Sequence, residues 1–236
     1  MIVVILAGGL GTRLAEETKI KPKPLIKIGG KPIIWHIIKI YHHYGIKNFV
    51  ICLGYKGNLL KKELDKLNVK KKWKITYVNT GLKTMTGGRI KRIKKFVEKE
   101  KYFCLSYGDG LSDLNIKKLI NFHITKKKTA TLTAVKYKNT KGLLLIDKKS
   151  RIKTIKEKPL EYINGGFFVL SKNIFKYLKN DKTIFEKDCL PKLAKVNQLL
   201  AYKHSGFWGC MDTLREKKEL NQLWKSNKKV WKVWND

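Results

Sequence analysis

Apolar positions along the chain follow two alternating rhythms. Positions 2–6 (IVVIL) form an unbroken apolar run, the pattern of a strand buried on both faces of a parallel sheet. Positions 32–44 place Ile34, Ile37, Ile38 and Tyr41 at helical spacing, and Gly45 ends the run. The alternation continues with a strand at 48–53, a basic amphipathic helix at 59–67 and a strand at 74–78. A helix at 90–97, a strand at 102–107 and a helix at 115–125, with Asn115 at its cap region, complete this part. From residue 130 the texture changes. Strand-like runs at 130–135, 143–146, 152–155 and 167–170 crowd together, and helices follow near 172–178 and 184–195. A short strand at 199–202 leads to the loop HSGFWGCMDT, and a last helix begins near Asp212. Strands and helices alternating through short connections predict an α/β fold. Its core is a Rossmann-like, mostly parallel central sheet with helices on both faces, plus a smaller β-rich part. No repeat or long linker divides the chain, so it reads as a single domain over 1–236 with halves 1–128 and 129–236.

Ligands on such sheets sit at the carboxyl ends of the strands. The stretches GGLGTR, MTGGR and YGDG all lie just after, or a few residues beyond, such an end. Gly8, Gly9 and Gly11 let the backbone turn tightly and approach a ligand, and successive N–H groups there can cradle an anion. The spacing is not the phosphate loop that ends in GK[ST]. It also lacks the third glycine of a dinucleotide fingerprint, having Leu14 instead. A tight strand-to-helix turn would explain the glycines alone. Thr12, Arg13 and the stretch KPKPL add more, because prolines on both sides of Lys23 hold that lysine's backbone in place.

Composition changes the picture in one respect. Net charge is +35, which invites nucleic acid or an anionic membrane as partner, yet only five of the 53 cations are arginine. Base readers and phosphate clamps favour arginine for its planar fork, and lysine spread along the whole chain reads as solvated surface. No nucleic-acid or membrane partner is therefore expected, and no apolar run approaches the roughly 18 residues of a spanning helix. The short apolar N-terminus runs straight into glycines and reads as a strand rather than a leader. The four cysteines form no CxxC pair, and buried thiols in a reducing, cytoplasmic compartment account for them. His36, His42, His43, His123 and His204 lack metal-ligand spacing, and Trp231 and Trp234 are expected to dock on the protein body or a neighbour.

With these residues in view the chain resembles the sugar-phosphate nucleotidylyltransferases. The signature LAGGLGTRL…KPKPLIKIGGKPI carries the resemblance. WHIIKIY, FVICLGYKG, VNTGLKTMTGGRIKR, YGDGLSD, ATLTAV, KEKP, INGGFFVL, LAYKHSGFWGCMDTLREK and WKVW extend it, in order, over nearly the whole length and toward the cytidylyl branch. The resemblance implies Mg²⁺-dependent transfer of a cytidylyl group from CTP to a sugar 1-phosphate, glucose 1-phosphate in that branch, in a homo-oligomeric enzyme of nucleotide-sugar and polysaccharide biosynthesis. It makes 1–128 the nucleotide half and 129–236 the sugar-phosphate half. By the same resemblance, Leu6, Ala7, Gly8, Gly9, Gly11 and Thr12 surround the nucleotide, and Thr84, Thr86, Gly87, Gly88 and Arg89 read its base. Arg13 and Lys23 become the catalytic cations, Asp109 and Asp212 the metal ligands, Lys158 the grip on the sugar phosphate, and Asn164 and Gly165 the contacts to sugar hydroxyls. Each has a plainer alternative. Asp109 suits a turn, Asp113 a cap for the helix from Asn115, Asp212 a cap for the last helix, and Arg89 a solvated helix surface. Between Gly57 and Trp73 the family carries a longer insertion, the link from KEKP to INGG is short, and Gly209-Cys210 is unusual. Another acceptor phosphate therefore stays open, as do a nucleic-acid-binding relative and a regulatory paralogue without turnover.

Overall fold

The computed structural model describes residues 1–68, 72–138, 142–157, 160–226 and 229–235. Seven strands, numbered here in chain order, make the central sheet. They are β1 (Ile2–Leu6), β2 (Asn48–Leu53), β3 (Lys74–Asn79), β4 (Tyr102–Tyr107), β5 (Ala130–Lys138), β6 (Leu160–Ser171) and β7 (Leu199–His204). Their spatial order is β7-β5-β6-β4-β1-β2-β3. All neighbours run parallel except around β6, which is antiparallel to both β4 and β5. The expected mostly parallel sheet is therefore present, with one reversed strand near its middle. That strand is much longer than the expected 167–170, because its register with β5 shifts between Asn164 and Phe168 and breaks the apolar rhythm at Asn164-Gly165-Gly166.

Continuous apolar strands make sense once both faces are covered. Val3, Ile5, Phe49, Ile51, Phe167 and Val169 pack on one side with the Ile33–His43 helix, Leu60, Leu64 and Leu119. The residues between them in sequence, Val4, Val50, Cys52, Leu105, Phe168 and Leu170, pack on the other side with Ile90, Ile174, Phe185 and Leu193. Period-two alternation thus sends neighbouring side chains into two separate cores. Burial pushes the Cys52 and Cys104 thiols up to about 12, which keeps them protonated and inert. Among the described residues no helix is long and apolar enough to cross a membrane.

The C-terminal tail closes the first core, as expected for Trp231 and Trp234. Trp231 is wholly buried, and both indoles gather around His36 with Trp224. His36 Nε2 lies 2.8 Å from the Ile28 carbonyl and donates to it, while Nδ1 accepts from Trp231 Nε1 at 3.3 Å. Burial lowers the His36 pKa to about 4, so the ring is neutral in this lattice of contacts. Above pH 6.5 folded and unfolded forms are both neutral at this residue. Below that value the unfolded chain takes up a proton that the folded one refuses, so stability falls by about 3 kcal/mol by pH 4. Urea unfolding at pH 7 and pH 4 is expected to show His36→Gln losing less stability on acidification than the parent. Equal losses would overturn this account.

Candidate active site

Three local devices bring distant residues to the carboxyl ends of β1, β2 and β4. Gly11, in the left-handed region at φ 67°, ends the glycine turn and opens the single helical turn Thr12–Leu14 that carries Arg13. Thr18 Oγ1 donates to the Leu14 carbonyl at 3.0 Å and braces that turn. Lys23 begins a second single turn, Lys23–Leu25, with Pro22 before it, Pro24 inside it and Leu25 N donating to the Pro22 carbonyl at 2.9 Å. The third device is a small antiparallel ladder, Gly110–Ser112 against Trp208–Cys210, continued by Met211 N donating to the Asp109 carbonyl at 3.0 Å. This ladder sets Asp212 beside Asp109 across a hundred residues of chain.

Four side chains converge there. Lys23 Nζ lies 2.5 Å from Asp109 Oδ2 and 2.5 Å from Asp212 Oδ1, and Arg13 Nη1 lies 2.7 Å from Asp212 Oδ2. Burial alone would pull the lysine's pKa down, but the two carboxylates outweigh it and hold the ammonium above its ordinary value. Asp212 does not cap the last helix. Thr213 does, in a reciprocal pairing with Glu216, which leaves the Asp212 carboxylate for the cluster. Asp113 does not cap its helix either. Asn115 holds that position by accepting from Lys118 N at 3.0 Å, and Asp113 Oδ1 lies 2.9 Å from His204 Nε2.

The cluster lines a cavity of about 750 Å³. Leu6, Ala7, Gly8, Gly9, Gly11 and Thr12 line it, as do Thr84, Thr86 and Arg89 from the following segment. Arg89 is buried rather than solvated. Its guanidinium donates to the Leu53, Gly8 and Leu82 carbonyls and to Thr80 Oγ1, at 2.6–3.4 Å. Burial holds its pKa below the ordinary arginine value. Gly8 and Gly54 make room for it, since a Cβ at either would collide with the guanidinium. The Arg89 charge therefore stands directly behind the glycine turn. Gly87 and Gly88 do not line the cavity. They pack against Thr183 and Asp181, where a Cβ would come within 2.8 and 2.6 Å of the neighbouring chain. Asn164 and Gly165 do not line the cavity either: Asn164 Nδ2 donates to the hydroxyl of the lining residue Tyr107 at 3.2 Å, and Gly165 O accepts from Trp208 Nε1 at 2.7 Å. Lys158 lies outside the described residues.

One lining residue lies outside every motif singled out in the sequence. Glu186, in a π-helical turn Phe185–Cys189, accepts from Thr86 Oγ1 at 2.7 Å and from the Tyr107 hydroxyl. It ties the two walls of the cavity together and presents a carboxylate to it. A single glutamate among charged helix residues carries no pattern of its own. Its partners lie 79 and 100 positions away.

A glycine turn at the ends of parallel strands, backed by buried positive charge and facing two cations and two carboxylates, defines a nucleotidyl-transferring enzyme. The chain belongs to the nucleotidyl transferase family, which it matches over residues 2–236. It is 44% identical to the glucose-1-phosphate cytidylyltransferase of Salmonella typhimurium over 257 aligned positions, covering 99% of this chain and 100% of that protein. HddC from Yersinia pseudotuberculosis, solved with GMP-PN, superposes with a TM-score of 0.75 at 29% identity, covering 95% of this chain and 99% of that one. A Bacillus anthracis protein solved with sucrose gives 0.80 at 20% identity, over 100% of this chain and 98% of that one, and so shares the fold.

Proposed function

We propose that this enzyme transfers the cytidylyl group of CTP to α-D-glucose 1-phosphate, giving CDP-glucose and pyrophosphate. The observation that carries the reading is the convergence of Arg13, Lys23, Asp109 and Asp212 beside the glycine turn. The full-length likeness to the Salmonella cytidylyltransferase supports the choice of base and sugar.

In this reading a phosphate oxygen of the sugar phosphate bonds to the α-phosphorus while the α–β bridging oxygen departs with its electron pair on pyrophosphate. Two anions must meet. A dianion approaching a single negative charge at ~4 Å costs roughly 8 kcal/mol at an effective dielectric of about 20. Fixed cations offset that cost without solvent reorganisation. Residues 6–12 offer backbone N–H groups to the nucleotide, and Arg13, with its fork, suits the leaving phosphates. Lys23 neutralises charge that builds at the α-phosphate. Thr84 and Thr86 face the base, Asn164 and Gly165 serve the sugar side, and Lys158 meets the sugar phosphate. The halves 1–128 and 129–236 then divide nucleotide from sugar binding.

The carboxylate pair fits a magnesium ion. Asp109 Oδ2 and Asp212 Oδ1 both face one cation-sized point, now met by the lysine ammonium, and among the described residues no cluster of three or more His, Cys, Asp or Glu offers a richer ligand set. Two hard oxygen donors, completed by phosphate and water, match Mg²⁺. When bound, the ion would lend Lewis-acid charge to the triphosphate.

A matrix of four nucleoside triphosphates against a panel of sugar 1-phosphates tests the reading through pyrophosphate release. CTP with glucose 1-phosphate is expected to give the highest kcat/KM. A higher value for CTP with another phosphorylated acceptor would replace the sugar, and no release from any pair would remove the reading.

A further inference from the structure

Lys23 does more in this arrangement than wait for a phosphate. Its ammonium is the shared partner of both carboxylates, with 13% of its side chain exposed, and Arg13 takes the remaining oxygen of Asp212. We infer that the Lys23 ammonium and a divalent cation are alternative occupants of one position between Asp109 and Asp212. Metal then binds tightly only together with the nucleotide whose phosphates draw Lys23 aside. The inference rests on the proposed reading of the two aspartates as metal ligands.

Charge and space both argue for exchange rather than coexistence. Two carboxylates and two cations sum to no net charge. A free divalent ion added to that set leaves two uncompensated positive charges in a partly desolvated cluster, with an ammonium already at bonding distance from both ligand oxygens. A metal–triphosphate complex brings its own negative charge, so the lysine gains a new anionic partner as it gives up the old ones. The path is short. Lys23 lines the same cavity as the glycine turn, and its Cβ lies 3.2 Å from the point where a Cβ on Gly11 would sit. The prolines that flank Lys23 fix its backbone, so the exchange is a side-chain rotation and not a loop movement. In functional terms the lysine keeps the carboxylates apart from free metal and releases them when the triphosphate arrives.

Titrating Mn²⁺ into the nucleotide-free, full-length protein and reading free metal by electron paramagnetic resonance tests this. Lys23→Met keeps the length of the side chain without its charge, and Lys23→Gln is a second, polar variant that also lacks the charge. Both are expected to bind Mn²⁺ at least tenfold more tightly than the parent. Adding Asp212→Asn to Lys23→Met is expected to abolish that gain. If variants with native far-ultraviolet dichroism bind Mn²⁺ no more tightly than the parent, the exchange is overturned. That result leaves the catalytic reading standing, because pyrophosphate release by the parent enzyme decides that reading separately.

Discussion

Lys23→Ala is expected to lower kcat for pyrophosphate release by about a thousandfold, or roughly 4 kcal/mol of transition-state stabilisation. The ammonium sits at the junction of the carboxylate pair and the glycine turn, held by a backbone that proline fixes on both sides. In the proposed reaction, removing it takes away charge at the point where negative charge builds. It also leaves Asp109 and Asp212 facing each other without their common counter-ion. Lys23→Arg is expected to recover little, because a planar fork cannot occupy the position of a compact ammonium 2.5 Å from two oxygens. The measurement is steady-state kinetics at saturating CTP and glucose 1-phosphate. A variant within tenfold of the parent would remove Lys23 from the chemical step.

The second large effect is expected at Arg89. Arg89→Met removes four hydrogen bonds that join the ends of β1, β2 and the segment after β3. Hydrogen bonds from a charged donor contribute about 1.5–3 kcal/mol each, and some of the freed acceptors keep other partners, since Leu53 O also accepts from Thr80 N. A net loss of about 3 kcal/mol in urea unfolding follows. The same change removes the positive charge behind the glycine turn, so KM for the nucleotide is expected to rise about a hundredfold while the KM for the sugar phosphate moves little. Equal increases in both constants would mean that Arg89 merely supports the fold. Arg89→Lys is not expected to restore either property, since one ammonium cannot reach carbonyls on three segments.

These residues also show what sequence alone discloses. The strands β1, β2 and β4 were legible to the residue because continuous apolar runs bounded by glycine or polar turns have few other readings. The convergence of Arg13, Lys23, Asp109 and Asp212 was legible through the motif order rather than through any local pattern. Their grouping depends on the Gly110–Ser112 and Trp208–Cys210 ladder, and each of those strands is too short to carry a period. Arg89 was expected either at the base or on a solvated helix surface, and its burial was not legible. Its burial requires Gly8 and Gly54, 81 and 35 positions away, to leave space for the guanidinium, and no helical periodicity records that. The reversed direction of β6 was illegible for a similar reason, since apolar alternation is the same in either direction.

The ladder that sets Asp212 beside Asp109 bears on how the molecule is made. Arg13 and Lys23 leave the ribosome long before Asp212, the carboxylate that joins them. β4 also cannot acquire its neighbour β6 until residue 160 and beyond have emerged. A nascent chain therefore carries an exposed sheet edge and an incomplete charge cluster until those later residues have emerged. Folding committed by contacts this distant in sequence is slow, and the first half should gain from chaperones that shield the open edge until the second half arrives.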